Sequence, residues 1–316
     1  MSFHSGFVCI LGRPNAGKST LLNALVGEKL AIVSPKPQTT RNRILGVIHV
    51  PRQKETKKPG GQVILIDTPG VHRPDSSLGR RMMGEVRDAL EGCNLVLLIV
   101  DVTWKSSAAD QFVLDLVKKS GTPALLLLNK IDLLHGGQKE KLLPIIARYG
   151  QLHDFKEVIP LSARKHEGLD ILLEKVIGAL PEGPHYFPED QVTDQPVRFM
   201  VAEIIREQVL LETSEEVPYA TTVVVEQFEE GAKLTRIAAL IYCEREGQKG
   251  ILVGKKGQML KKIGTAARAQ IEKMVGTRVF LELFVKVKPH WRESHHFVEE
   301  LDWRRQLEML AGREKA

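Results

Sequence analysis

The chain has 316 residues, of which 43% are hydrophobic and 27% charged. That is the balance of a soluble globular protein with room for two cores, and no apolar run reaches the length that crosses a bilayer. A formal net charge of +6 suits an acidic partner such as nucleic acid. The three scattered cysteines (Cys9, Cys93, Cys243) exclude a disulfide framework and form no metal-ligand pair. No basic-then-apolar leader is seen at the start, so a cytoplasmic protein is expected.

The first apolar run, residues 7–11, leads into Gly12-Arg13-Pro14-Asn15-Ala16-Gly17-Lys18-Ser19-Thr20. A strand, a GxxxxGKS loop and a helix in that order are the spacing of a phosphate-binding loop. Glycines let the backbone N–H groups turn toward phosphate oxygens, and the start of the helix adds its positive end. Lys18 can reach the β- and γ-phosphates, and Ser19 can offer its hydroxyl to Mg²⁺.

Residues 31–43 carry two prolines and several polar residues and read as a loop. A nucleotide switch needs a second hydroxyl ligand for Mg²⁺ here. Thr40 is the first choice and Thr39 the second. Residues 44–50 form the next expected strand. Residues 52–61 read as a solvated hairpin loop, and residues 63–66 as a strand that delivers Asp67-Thr68-Pro69-Gly70. In this DxxG pattern Asp67 can hold Mg²⁺, and the Gly70 N–H can contact a γ-phosphate and lose it on hydrolysis. Lys18, Thr40 and Gly70 are thus the expected catalytic residues. Val71 follows where Ras-like GTPases carry a water-orienting Gln, so slow intrinsic hydrolysis is expected. His72 and Arg73 read as exposed switch residues.

Further apolar runs at 95–100, 124–128 and 158–161 alternate with helical stretches. The alternation predicts a doubly wound α/β fold with a mostly parallel six-stranded sheet, its ligand loops at the carboxyl ends of the strands. The fifth run delivers Asn129-Lys130-Ile131-Asp132, an NKxD pattern. Guanine presents N1–H and an exocyclic amine, two donors that the Asp132 carboxylate can accept together. Adenine offers an acceptor at N1 and leaves that carboxylate unmatched. Asn129 is expected to brace the loops and Lys130 to lie along the base. A backbone N–H of Ser162-Ala163, after the sixth run, is expected to meet guanine O6.

A helix over 169–180 closes the first domain, assigned to residues 1–181. The proline-rich stretch 182–195 reads as a linker. The second domain, 196–316, is expected to begin with a helix capped by Thr193-Asp194 with Pro196 in its first turn. Two β-rich runs follow, at 220–225 and 234–242. Then comes Gly254-Lys255-Lys256-Gly257, a GxxG loop before a helix with an apolar face of Met259, Ile263, Ala267, Ile271 and Met274. Lys261, Lys262, Arg268 and Lys273 add charge along that helix. A strand over 277–288 and a C-terminal helix packed on the sheet complete the domain.

The four motifs of the first half resemble the translation-factor-like GTPases. The forms of Gly12–Ser19, Gln38-Thr39-Thr40-Arg41 and Asp67–Gly70 resemble the Era branch. The second half is similar to a KH domain of the bacterial topology. The resemblance implies GTP and GDP as ligands, with Mg²⁺ held by Ser19, Thr40 and Asp67. It picks Thr40 as the switch threonine and allows a K⁺ ion near Asn15. From the KH likeness it implies RNA contact through Gly254, Lys255, Lys256, Gly257, Lys261 and Lys262. It further implies a monomeric assembly factor that binds small-subunit ribosomal RNA near its 3′ end and acts on the small ribosomal subunit. Weak peripheral contact with the inner face of the cell membrane is compatible with the basic charge. Two other classes share part of the pattern: a membrane-associated signalling GTPase and a P-loop metabolic enzyme.

Overall fold

The computed structural model describes residues 3–51, 60–71, 74–103, 108–134 and 138–305. The chain divides into two compact units, one of Met1–Arg73 with Met82–Asp194 and one of Pro74–Arg81 with Gln195–Ala316.

The first unit is built on a six-stranded sheet. Its strands are β1 (Phe3–Leu11), β2 (Ile44–Val50), β3 (Gly60–Asp67), β4 (Leu95–Asp101), β5 (Ala124–Asn129) and β6 (Glu157–Leu161). They lie in the order β2-β3-β1-β4-β5-β6, and only β2 runs antiparallel to its neighbour. Helices α1 (Lys18–Val26), α2 (Ser77–Glu91), α3 (Ala108–Ser120) and α4 (Leu142–Leu152) connect strands of the sheet, and α5 (Leu169–Ala179) follows the last of them. Central strands covered on both faces need apolar residues at every position. Accordingly, all six residues of β5 are buried, and six of the seven in β4.

β3 is longer than expected. Gly60 and Gly61, read as loop from the sequence, belong to the strand, and the remainder of that loop, 52–59, lies outside the described residues. Gly61 can be there because it has no Cβ: one would fall 2.3 Å from the His4 carbonyl oxygen.

The stretch after α5 is not a loose linker. Gln62 of β3 accepts the N–H groups of Tyr186 and Phe187 at 2.7 and 3.1 Å and donates to the Phe187 carbonyl at 2.8 Å. Val47 donates to the Val192 carbonyl at 2.8 Å, and Thr193 to that of Leu45 at 2.6 Å. Edge-strand amides and a buried Gln side chain need partners, and the connector supplies them.

The second unit runs α6 (Val197–Glu212), β7 (Thr222–Glu229), β8 (Leu234–Cys243), α7 (Glu246–Val253), α8 (Gln258–Val275), β9 (Arg278–Val287) and α9 (His295–Glu300). Its sheet has the order β7-β8-β9, with β7 antiparallel and β9 parallel to β8. Val201, Ile205 and Val209 of α6 and Ile263, Ala267 and Ile271 of α8 pack on Ile237, Ala239 and Ile241 of β8. A register shift between Val225 and Gln227 is held by Arg198, which donates to the Val225 carbonyl at 3.0 and 2.6 Å.

One expectation changes here. The expected Thr193-Asp194 cap is replaced by Pro196, which caps α6 without a side-chain bond. The expected C-terminal helix on the sheet is met, among the described residues, by the short α9. Its Phe297 ring meets Tyr242 on the sheet edge-on at 5.2 Å, and residues 306–316 lie outside the described residues.

Candidate functional site

The carboxyl ends of β1, β3, β4 and β5 meet at one cleft, 770 Å³ in volume, lined by Lys18, Ser19, Thr20, Thr40, Gly70 and Lys130 among others. Three glycines let the backbone close around it. A Cβ on Gly12 would fall 2.7 Å from the Ile99 carbonyl oxygen, and one on Gly70 2.9 Å from Pro14 Cα. Gly17, at φ +105°, has Asn129 Nδ2 where its Cβ would be. α1 starts at Lys18, so its unpaired N–H groups and positive end face the loop. The Lys18 ammonium spans the loop, donating to the carbonyls of Gly12 and Arg13 at 3.2 and 3.1 Å. Burial lowers its pKa, and the Asp67 carboxylate pulls it back up.

Three oxygens from separate segments converge beside Lys18. Ser19 donates to Asp67 Oδ2 at 2.6 Å, Thr40 donates to the same oxygen at 3.4 Å, and the two hydroxyls lie 2.8 Å apart. Thr39 also lines the cleft, but its hydroxyl is engaged within its own loop, donating to the Lys36 carbonyl at 2.6 Å and lying 2.8 Å from that of Ser34. Burial pushes the Asp67 carboxyl up to about 6 against the pull of Lys18, Ser19 and Thr40. Its Oδ1 is buried with no hydrogen-bond partner. Hard oxygen donors and an orphaned carboxylate oxygen fit Mg²⁺. Of the other predicted residues in this loop, Thr68 gives its hydroxyl to the Ile10 carbonyl at 2.7 Å and is structural. Asn15, at φ 62°, donates to the Pro35 carbonyl at 2.7 Å and ties the phosphate loop to the switch loop.

At the other end Asn129 braces two loops. Its Nδ2 donates to the Ala16 carbonyl at 2.8 Å, and its Oδ1 accepts the Ala163 N–H at 3.0 Å. The Ser162 N–H goes to the Glu167 carbonyl. Both N–H groups expected at guanine O6 are therefore engaged in holding the loop. The contribution of Ser162 is instead its hydroxyl, which donates to Asp132 Oδ1 at 2.6 Å and orients the carboxylate. Lys130 is held by Asp101 at 2.6 Å. Burial pushes Asp101 up, but hydrogen bonds from Lys130 and Thr103 outweigh it and leave its pKa below the usual value. Asp101 was missed from the sequence, although it directly follows an apolar run, the position that marked Asp67 and Asn129.

Size alone does not mark the site. A hollow of 820 Å³ lies at the opposite, amino-terminal end of the strands, lined by Pro51, Pro123, Leu173 and Ile177 among others. None of the motif residues lines it.

In the second unit the GxxG loop joins α7 to α8. Gly254 has φ 70° and ψ 175°, and a Cβ there would lie 2.7 Å from Met259 Cβ. Gly257, at φ 77°, has open space around it. Lys255, Lys256 and Lys261 are exposed. A groove of 370 Å³ beside the loop is lined by Gly257, Leu260, Lys261, Gly264, Arg268 and Leu283 among others. Lys262 points elsewhere and pairs with Glu212.

Residues 7–130 match the family described as 50S ribosome-binding GTPase, and residues 216–292 match the KH domain. The GTPase Era of Ruminiclostridium cellulolyticum is 48% identical over 305 residues, 96% of this chain and 99% of that protein. The chain belongs to the Era family of GTPases. The Era of Geobacter metallireducens is 48% identical over 95% of this chain and 98% of its own length. A crystal structure of Era with MgGDPNP and nucleotides 1506–1542 of 16S ribosomal RNA superposes with a TM-score of 0.88. It is 39% identical and covers 94% of this chain and 98% of its own. An Aquifex aeolicus Era variant bound to GDP·AlF4⁻ gives the same TM-score at 38% identity, with 94% and 98% covered.

In this Era-family GTPase Val71 is turned inward. Its side chain is fully buried in the core with Leu11, Met83 and Val86, and its N–H donates to the Gly12 carbonyl at 3.3 Å. It faces the core and not the phosphate end of the cleft. His72 and Arg73 lie outside the described residues.

Proposed function

We propose that this chain is a slow GTP-hydrolysing switch that binds small-subunit ribosomal RNA near its 3′ end and assists assembly of the small ribosomal subunit. One observation carries the nucleotide half: Ser19, Thr40 and Asp67 converge from three segments beside Lys18 and leave Asp67 Oδ1 without a partner. Ser19, Thr40 and Asp67 would hold Mg²⁺, which supplies charge neutralisation between the β- and γ-phosphates when bound. Lys18 and the backbone N–H groups of residues 12–20 bind the phosphates. Asp132, oriented by Ser162, accepts the two guanine donors, while Lys130, steered by Asp101, lies along the base.

No side chain at position 71 can orient water from within the core. The attacking water is held by switch-loop backbone, a cation or a partner. Turnover is accordingly of the order of 10⁻⁴ to 10⁻² s⁻¹, as for unassisted GTPases. A K⁺ ion beside Asn15 would serve as such a cation. Replacing K⁺ by Na⁺ in a hydrolysis assay tests it, and equal rates would remove K⁺ from the reading.

The RNA half rests on the GxxG loop and its groove. Gly254 and Gly257 bring backbone close to phosphates, with Lys255, Lys256 and Lys261 supplying charge. Lys262, paired with Glu212, is the weakest member of the expected set. The solved relative that contains 16S ribosomal RNA nucleotides supports this target. The protein is proposed to act as a monomer in the cytoplasm.

Crosslinking to total cell RNA with GDP or a non-hydrolysable GTP analogue is the test. Enrichment of small-subunit 3′-end RNA in the analogue sample is expected, and equal recovery in both would reject nucleotide control. GTP competed against ATP separates this reading from a metabolic P-loop enzyme. Anionic vesicles in the same binding assay separate it from a membrane-bound signalling GTPase.

A further inference from the structure

The outer face of the second unit's sheet carries two aromatic rings in solvent. Phe280 and Phe284 on β9 are 47% and 53% exposed. Exposing two large rings is costly in a chain where aromatics are only 5% of residues. The register places Arg236 of β8 beside Phe280 and Leu240 beside Phe284. The Arg236 guanidinium carbon lies 5.6 Å from the Phe280 ring centre. The outward row of β9 adds Arg278 and Lys286, with Glu282 between the rings, and Glu229 of β7 lies across from Arg236. Arg236, Arg278 and Lys286 share this face with Glu229 and Glu282, and the carboxylates of Glu226 and Glu300 act on Tyr242 at its other end.

Among the described residues, the ring contact recorded at this pair is that of Arg236 with Phe280. α9 covers the other end of the face, where Phe297 meets Tyr242. The chain then leaves, since Trp303 packs near Phe199 of α6 at 6.0 Å. The alternate residues of the same strand, Leu281 and Leu283, line the GxxG groove. β9 is the last strand of its sheet, so a single strand separates the groove from the exposed rings.

We propose that Phe280, Phe284 and Arg236 form a stacking platform for unpaired bases of the RNA strand that leaves the groove over the edge of β9. The proposal rests on the RNA-binding reading of the groove. Every base has a flat π-face, so aromatic rings and a guanidinium accept it whatever its sequence. Arg236, Arg278 and Lys286 can meet the phosphates that come with the bases. Continuity with the groove, and a guanidinium set against a ring, favour RNA over a protein partner, which would need a broader apolar face.

The test is fluorescence anisotropy with a four-nucleotide RNA, enough for a KH groove, and the same RNA extended at either end to about eight nucleotides. Extension is expected to tighten binding to the unaltered protein by about 10- to 100-fold. The Phe280→Ala/Phe284→Ala protein should lose that gain and bind the four-nucleotide RNA as before. Lys255→Ala/Lys256→Ala should weaken both RNAs, which reports on the groove. Failure of the unaltered protein to bind either RNA would overturn the groove reading and the platform with it. Binding without a gain from extension, a gain that survives the double substitution, or equal weakening of both RNAs would overturn the platform alone. Photocrosslinking of a 5-iodouridine oligonucleotide to unaltered protein needs no variant to fold, and adducts at Phe280 or Phe284 are expected. Crosslinks confined to the groove, or a double variant that loses only protein contacts on the small subunit, would also overturn it.

Discussion

Ser19 donates its hydroxyl to Asp67 at 2.6 Å across 48 positions of chain, joining the phosphate loop to the end of β3. That bond steadies one carboxylate oxygen and leaves the other, buried and unpartnered, as a liability of the nucleotide-free fold. The folded pKa of Asp67, about 6, lies above its ordinary 3.8, so the folded state holds this proton more tightly. The contribution to stability is full below about 3.8 and is lost as pH rises through about 6. Asp67→Asn is therefore expected to stabilise the nucleotide-free protein at pH 7, on the order of 1–3 kcal/mol, and to abolish Mg²⁺-dependent GTP binding. Thermal melts without nucleotide at pH 5 and 7 check this. An Asn variant no more stable at pH 7 would count against a buried, ionised Asp67.

The two neighbouring threonines should separate cleanly. Thr40→Ala removes a hydroxyl 2.8 Å from Ser19 and is expected to weaken Mg²⁺-dependent nucleotide binding about 10- to 100-fold. Thr39→Ala removes a loop contact to Lys36 and Ser34 and should leave that affinity within a few-fold. Titration with a fluorescent GTP analogue at varied Mg²⁺ measures both.

Base selection is expected to reverse at one position. Asp132→Asn replaces a double acceptor by a group that can donate, so guanine loses a matched partner while xanthine, with a carbonyl at C2, gains one. Preference for GTP over xanthosine triphosphate should fall by about 100-fold or more, read by competition. Unchanged preference would mean that the Ser162-oriented carboxylate does not read the base.

Placing a water-orienting Gln at position 71 should fail. Val71 is fully buried, and an amide there without partners costs about 1–3 kcal/mol. Val71→Gln is expected to lower the melting temperature without raising GTP turnover. Faster hydrolysis would show that the side chain can swing to the phosphates.

The two glycines of the GxxG loop are unequal. Gly254 is barred from a Cβ by Met259 as well as by its φ of 70°. Gly257 has only its φ of 77° to satisfy, which Asn tolerates. Gly254→Ala should weaken RNA binding or stability markedly, and Gly257→Asn should stay within about 1 kcal/mol of the unaltered stability. Urea melts and RNA titrations on the two variants give the comparison.

The six strands, the motif loops at their carboxyl ends and the GxxG loop with the helix after it were legible because each depends on local pattern. Continuous apolar runs announce buried parallel strands, and Gly announces close backbone approach. The orientation of single side chains was not legible. Val71 is marked in the sequence only as standing where a water-orienting Gln would be, and nothing local shows that packing turns it into the core. Ser162 and Ala163 read as base contacts, yet Asn129 and Glu167 take their N–H groups. Gln62 gives no signal as an anchor for residues 186–187, since its partners lie more than 120 positions away. Asp101 was legible by the pattern that marks Asp67, since it stands at the end of the fourth apolar run.

The Val47-to-Val192 bond has a bearing on solubility. An uncovered strand margin invites a second molecule to add its own strand and start a fibril. Here the connector shields the β2 margin with its own backbone. The opposite margin, β6, is five residues long and includes Pro160, which has no N–H to give. Both flanks of the large sheet are thus poor templates for recruitment, and the molecule can be concentrated with little tendency to polymerise through them.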